Sequence, residues 1–102
     1  MITLNDIKKL KNNDGITLKK YEGITYKTGY QVATKGVEVK TPEECMEAIN
    51  NYNGNCGVWY SEGVYYVDKS HRVATKKNAL AEGREHKQIS ILQWANMGLI
   101  YC

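Results

Sequence analysis

Sixteen residues from Gly57 to Arg72, Gly-Val-Trp-Tyr-Ser-Glu-Gly-Val-Tyr-Tyr-Val-Asp-Lys-Ser-His-Arg, carry four of the ten aromatic residues and one of only two arginines. Trp59, Tyr60, Tyr65 and Tyr66 offer flat rings on which a base can stack, an interaction worth about 1 to 3 kcal/mol per base. At this spacing about half of the rings must face a core. A pocket joining one or two of them to Arg72, Arg84 or a lysine suits a small nucleotide better than a long polymer. Thr75-Lys76-Lys77 opens a helix just after Arg72, and a helix start offers free N–H groups and a positive dipole end to an anion. The competing reading is that Thr75 only caps the helix and the lysines are solvated. The sequence leaves both open.

Catalytic arrangements are poorly supported. His71 and His86 are the only histidines, and neither lies in a GxSxG, HExxH or Cys-x-x-Cys pattern. Asp68, Ser70 and His71 are close in sequence, but triads are assembled from distant segments, and near neighbours rarely reach the geometry. His71 reads as a solvated loop residue. No phosphate-cradling GxxxxGK[ST] or GxGxxG loop is present. Cys45, Cys56 and Cys102 are odd in number and form no CxxC pair, which points to reduced thiols in a cytosolic protein rather than a disulfide framework or a zinc site.

The elements that must position these residues are predicted as follows. Leu4, Ile7 and Leu10 share one face of a short helix with Thr3 or Asn5 as N-cap, ended by Asn12-Asn13-Asp14-Gly15. Ile16 to Tyr21 is a strand, Glu22-Gly23 a turn, and Ile24 to Ala33 a second strand. Gly29 interrupts that second strand as a bulge or a point of close backbone approach. Lys35-Gly36 turns the chain into a short third strand holding Val37 and Val39. Thr41-Pro42-Glu43-Glu44 combines a Thr N-cap, a Pro at the first helical position and a capping-box glutamate. Cys45, Ala48, Ile49 and Tyr52 form the buried stripe of that helix. The aromatic stretch folds back at Ser61-Glu62-Gly63 as a β-hairpin, and the chain runs irregularly from Lys69 to Arg72. A second main helix runs from Thr75 to about His86, with Gly83 a kink or a close contact. Gln88 to Trp94 is a final strand, and Ala95 to Cys102 a tail that packs or pairs. A faint echo links Tyr30-Gln31-Val32, Val39-Lys40-Thr41 and a helix with Tyr65-Tyr66-Val67, Val73-Ala74-Thr75 and a helix. Duplication and convergence both account for it.

The expected fold is α+β, a single mostly antiparallel sheet with two main helices and a short N-terminal helix, in one domain over 1–102. A chain of 102 residues buries one modest core and gains from self-association. Eight Tyr, two Trp and no Phe suit half-exposed surfaces and interfaces. A net charge of +3 can attract an anion, but lacks the dense basic clustering of a duplex binder, so nucleic acid is a disfavoured partner. No stretch reads as a secretory signal or a membrane span.

Several short pieces in a fixed order resemble the phage anti-Thoeris signal-sponge family, the first type described. They are Gly29-Tyr30-Gln31-Val32-Ala33, then Gly57-Val58-Trp59, then Tyr65-Tyr66-Val67-Asp68-Lys69-Ser70. Thr75-Lys76-Lys77-Asn78-Ala79-Leu80-Ala81-Glu82-Gly83-Arg84-Glu85 and Gln88-Ile89-Ser90-Ile91 follow. The resemblance spans roughly residues 29 to 94, and order carries it more than any single piece. It implies a non-enzymatic phage or prophage protein in the cytoplasm of the infected host. Such a protein binds and sequesters cyclic ADP-ribose-type signals made by bacterial TIR proteins, leaving them uncleaved and the host effector silent. It also implies a homo-oligomer, and for some members a separate site for cyclic oligonucleotides. Local chemistry on the matching pieces selects Tyr30, Trp59, Tyr65, Asp68, Ser70, Arg72, Thr75, Lys76, Arg84 and Gln88 as ligand-binding residues, with no catalytic residue, metal or cofactor. The chain departs from the family in lacking Phe where an aromatic clamp is expected, so Tyr or Trp must substitute, and its two arginines leave the phosphate contacts thin. Two rival readings are a small phage protein that inhibits a host protein by direct surface contact, and a weak single-stranded nucleic-acid binder.

Overall fold

The computed structural model describes residues 1–102 and folds the aromatic stretch as a hairpin of β4 (Asn55–Ser61) and β5 (Val64–Val73). The link is two residues, tighter than the expected three. Glu62 and Gly63 lie at φ 51° and 81°, the left-handed pair whose twist matches the strands it joins. β5 does not lapse after Asp68. It continues through Lys69 to Val73 because the partner strand β3 (Tyr30–Val39) pairs with it along its whole length, from Tyr30↔Val73 to Val39↔Tyr65.

β3 corrects two further expectations. The strand expected from Ile24 begins only at Tyr30, and the turn expected at Lys35-Gly36 lies inside it. Gly36 is glycine for a different reason: a Cβ there would land on Asp68 Oδ1 and 2.6 Å from the Val67 carbonyl oxygen. A bulge between Ala33 and Lys35 shifts the alternation by one residue, so Val32 before it and Val39 after it both pack on the helix side. Near the N-terminus, β1 (Gly15–Lys19) turns at Lys20-Tyr21 into the two-residue β2 (Glu22–Gly23), so Glu22-Gly23 is strand rather than turn.

Three helices complete the order. In α1 (Leu4–Lys8) Thr3 and Asp6 form a full capping box. α2 (Pro42–Asn50) is capped by Thr41, whose Oγ1 accepts from Glu44 N–H at 3.1 Å. The Glu44 carboxylate accepts a hydrogen bond from the Thr41 hydroxyl at 2.9 Å in place of one from the backbone N–H, so this box is only half formed. α3 (Lys76–Glu85) is capped by Thr75. The C-terminal tail pairs: β6 (Ser90–Gln93) and β7 (Gly98–Tyr101) form a second hairpin.

The fold is α+β with one seven-stranded sheet, order β2-β1-β4-β5-β3-β6-β7, antiparallel at every pairing. Its centre consists of two interlocked units, β3-α2-β4 and β5-α3-β6, each with a strand of the other inserted between its own two strands. This is the split β-α-β, or ferredoxin-like, topology, and the two members of the sequence echo are its two halves. α2 covers β1, β4 and β5 through Cys45, Ile49, Cys56, Val58, Tyr65 and Val67. α3 covers β3 and β6 through Ala79, Val32 and Ile91. Gly83 is the close contact rather than a kink, because a Cβ there would stand 2.8 Å from Cys102 Sγ and 3.0 Å from Ile91. The other sheet face carries no helix. No helix is long and apolar enough to cross a membrane.

Candidate functional site

Strand alternation decides which side chains reach the helix-free face. On β4 these are Gly57 and Trp59, on β5 Tyr66, Asp68, Ser70 and Arg72, and on β1 Gly15 and Thr17. Register arranges them in rows across the sheet. One row runs Gly15, Trp59, Tyr66, Glu38, and the next runs Thr17, Gly57, Asp68, Gly36. Trp59 and Tyr66 sit side by side with ring centroids 5.6 Å apart. Asp68 is flanked by a glycine on both neighbouring strands. Interior strand glycines weaken a sheet, and a row of them marks a place where something approaches the backbone.

Half of this face is filled from within. Residues 24–29, the segment between β2 and β3, cross it as a strap. Ile24 N–H donates to Thr17 O at 2.9 Å and Trp94 N–H to Gly29 O at 3.0 Å. The Tyr26 ring stands edge-on to Trp94 at 5.5 Å, and its hydroxyl accepts from Asn55 Nδ2 at 3.0 Å. Arg72 clamps the strap, donating from Nε to Thr28 O and from a terminal nitrogen to Thr28 Oγ1, both at 2.9 Å. Its guanidinium lies 5.8 Å from the Tyr26 centroid. Gly29, at φ 84°, is the close approach, since a Cβ there would meet that guanidinium at 2.8 Å. Beneath the strap Trp94 Nε1 donates to Gln31 Oε1 at 3.2 Å and Gln31 Nε2 to Ser70 Oγ at 3.0 Å, a closed polar chain among buried residues.

The other half is a cleft of about 660 Å³, within the size range of small-molecule sites. Gly15, Thr17, Gly57 and Asp68 line it on the β1-β4-β5 side, with Trp59 beside them, and Leu92, Trp94, Met97 and Leu99 line it on the β6-β7 side. Both ends of the sheet thus contribute to one cleft, because the sheet curls around it. Trp59 is 48% exposed there, while Trp94 is buried.

The charge in this cleft is unusual for the chain. Its lining includes two carboxylates, Asp6 and Asp68, and no Lys or Arg, in a protein whose net charge is +3. Asp6 is occupied: hydrogen bonds from the Thr3 backbone and hydroxyl hold its carboxyl below the usual range. Asp68 has no such partner. Desolvation, with Glu38 nearby, raises its pKa, and neither a hydrogen bond nor a cation offsets this. The two core thiols are different in kind, since burial pushes Cys45 and Cys56 to about 11, which leaves them protonated and inert.

Of the ten residues selected from the sequence, Trp59 and Asp68 line the cleft. Ser70 and Arg72 share its sheet face but are engaged in the buried chain and the strap. The others lie elsewhere. Tyr65 is in the core under α2 and Tyr30 packs against the α3 cluster. Thr75 accepts from Asn78 N–H at 3.3 Å as a cap, Lys76 begins α3, and Arg84 Nε lies 3.5 Å from Cys102 O. Gln88 Nε2 donates to His86 O at 3.3 Å in the α3–β6 connection. His71 is on strand β5, not on a loop, and pairs with Glu82 of α3 at 3.0 Å on the helix side. Gly15, Thr17, Gly57, Leu92, Trp94, Met97 and Leu99 are among the cleft residues that the sequence did not single out as ligand-binding. The signal for Gly57 was its place inside an aromatic strand; nothing local marked the tail residues.

No family model, curated protein or solved structure matches the chain. The site therefore rests on its own geometry, and the topology by itself assigns no activity.

Proposed function

We propose that this is a phage or prophage anti-defence protein that binds a cyclic ADP-ribose-type immune signal and holds it uncleaved. It acts in the cytoplasm of the infected host, as a homo-oligomeric sponge rather than an enzyme. One observation carries the reading: bare strand backbone at Gly57, with the exposed Trp59 ring two residues along its own strand and the partnerless Asp68 carboxyl opposite it on the next, inside a cleft of small-molecule size. The glycines let a flat base lie against the strand backbone, and Trp59 stacks on it for about 1 to 3 kcal/mol. Asp68 accepts from a base N–H or a ribose hydroxyl and thereby gains the partner it lacks. Sequestration without turnover is supported by where the histidines lie, since His71 is taken up by Glu82 on the opposite side of the sheet. The absence of Lys and Arg from the lining keeps the phosphates of such a ligand at the solvent-exposed mouth.

The test is to mix purified protein with a TIR-generated signal, filter, heat the retained protein and analyse what is released. Intact signal in the released fraction supports the sponge, an altered one means an enzyme, and no retention at micromolar protein defeats the nucleotide reading. A second reading, inhibition of a host protein by surface contact, draws support from the apolar residues Met1, Met97, Leu99 and Tyr101, which are 58% to 80% exposed. It predicts no retention of signal and loss of inhibition on Leu99→Asp.

A further inference from the structure

A carboxylate half withdrawn from water, with no donor from its own chain, is most stable when a ligand brings positive charge to it. Three features at the Asp68 slot point the same way. Neither Lys nor Arg lines the cleft, and the one cationic group at its edge, the Met1 ammonium, pairs with Glu22 at 3.4 Å, so no cation of the chain serves Asp68. The exposed Trp59 ring is the best of the aromatic faces for a cation, because its π-cloud presents negative charge. Gly36 makes room for the Asp68 carboxylate itself, while Gly57 leaves bare strand backbone beside it, a flat surface on which a ring can lie. A Cβ at Gly57 would meet nothing within 4 Å, so the slot is open on that side.

We propose that the slot over Gly57, between Trp59 and Asp68, is a site for a flat cationic nitrogen heterocycle, an N-substituted pyridinium or purinium ring, and selects it over its neutral isostere. A purine substituted on two ring nitrogens is such a cation, so the inference rests on the reading above and sharpens it. Trp59 stacks on a neutral ring too, but the Asp68 attraction and the cation–π component belong to the charged ring alone. A nucleotide with an uncharged base, such as AMP, can stack on Trp59 but gains nothing from the Asp68 charge, and a phosphate brought near that carboxylate is repelled.

The test measures binding of 1-methylnicotinamide, nicotinamide and AMP to the full chain by titration calorimetry. Charged hydrogen bonds and ion contacts exceed neutral ones by enough to give about tenfold tighter binding of 1-methylnicotinamide than of nicotinamide, with AMP weakest. Asp68→Asn narrows the gap between the two rings to what the Trp59 cation–π contact alone supplies, while keeping the neutral one bound, and Gly57→Val removes both without lowering the melting temperature. Equal affinities in the unsubstituted protein, a ratio unchanged by Asp68→Asn, or no binding of either ring overturns the inference. These outcomes are separable from failure of the sponge reading. Signal retained by filtration with no preference between the rings sinks the charge selectivity alone. A clear preference with no signal retained keeps the cationic-ring site and removes the sponge.

Discussion

Two glycines that flank one carboxylate should respond to alanine in opposite directions. At Gly57 the backbone is ordinary strand and an added Cβ meets nothing within 4 Å. Gly57→Ala therefore mainly restricts the unfolded chain and should stabilise the fold by about 0.4 to 1 kcal/mol. In a domain of this size that corresponds to a rise of roughly 2 to 8 °C in melting temperature. At Gly36 the new Cβ would overlap Asp68 Oδ1 and stand 2.6 Å from Val67 O. The carboxylate can rotate away, but Val67 O belongs to the backbone of β5, held between β4 and β3, and cannot. Gly36→Ala should cost about 1 to 3 kcal/mol, the range for an overpacked interior, and lower the melting temperature accordingly. Thermal unfolding followed by far-UV circular dichroism measures both, and filtration with signal measures retention. The informative combination is a Gly57 variant that melts higher yet retains less ligand, since a glycine that weakens the sheet and is of use only to a ligand has that signature. A destabilised Gly57→Ala, or a harmless Gly36→Ala, would refute the account of the glycine row.

Asp68 should show a pH signature. Desolvation, then Glu38, raises its carboxyl pKa in the folded state, so the folded protein holds that proton more tightly than the unfolded chain, and ionisation works against folding. Asp68→Asn should accordingly be more stable than the unsubstituted protein at pH 7, with the advantage shrinking as pH falls and gone below the ordinary value of 3.8; melts across that range check it, and a constant or reversed gap contradicts it. Arg72→Ala should release the 24–29 strap, removing two hydrogen bonds to Thr28 at a cost of about 1 to 2 kcal/mol, and hydrogen exchange at Trp94 N–H should quicken while exchange in β1 and β4 does not. Trp94→Phe leaves Gln31 Oε1 without its donor and should cost about 1 to 3 kcal/mol, a loss that Trp94→Phe with Gln31→Leu should partly recover.

Much of the framework was legible because it is written in neighbouring residues. Thr41-Pro42 and Thr75 start helices through bonds reaching only three residues ahead, and both helices begin where expected, although α2 ends at Asn50, so Tyr52, expected on its buried stripe, packs against the core from beyond the helix. The aromatic strands of the hairpin and its Gly63 turn follow from local twist. The misread stretches are those where a distant partner outweighs local preference. Lys69 to Val73 stays extended because β3 pairs along it, and Gly36 looks like a turn residue but accommodates Asp68. Residues 24–29 look like a strand but are drawn across the sheet by Arg72, Asn55 and Trp94.

The candidate site divides along the same line. The types at Trp59 and Asp68, a stackable ring and a carboxylate, and their alternation along the hairpin were plain in the chain. Strand period alone also required about half of the rings to turn inward, as Tyr65 does. Which half, and what lies opposite, depended on register. Pairing across three strands sets Gly57 and Gly36 beside Asp68, curling brings Met97 and Leu99 of the tail to the same cleft, and the strap takes Arg72 out of use. The sequence thus determined the elements and the chemistry on offer, which depend on interactions within a few residues. Only the tertiary structure decided which groups meet and which carboxylate is left without a partner, because those depend on contacts between segments far apart in the chain.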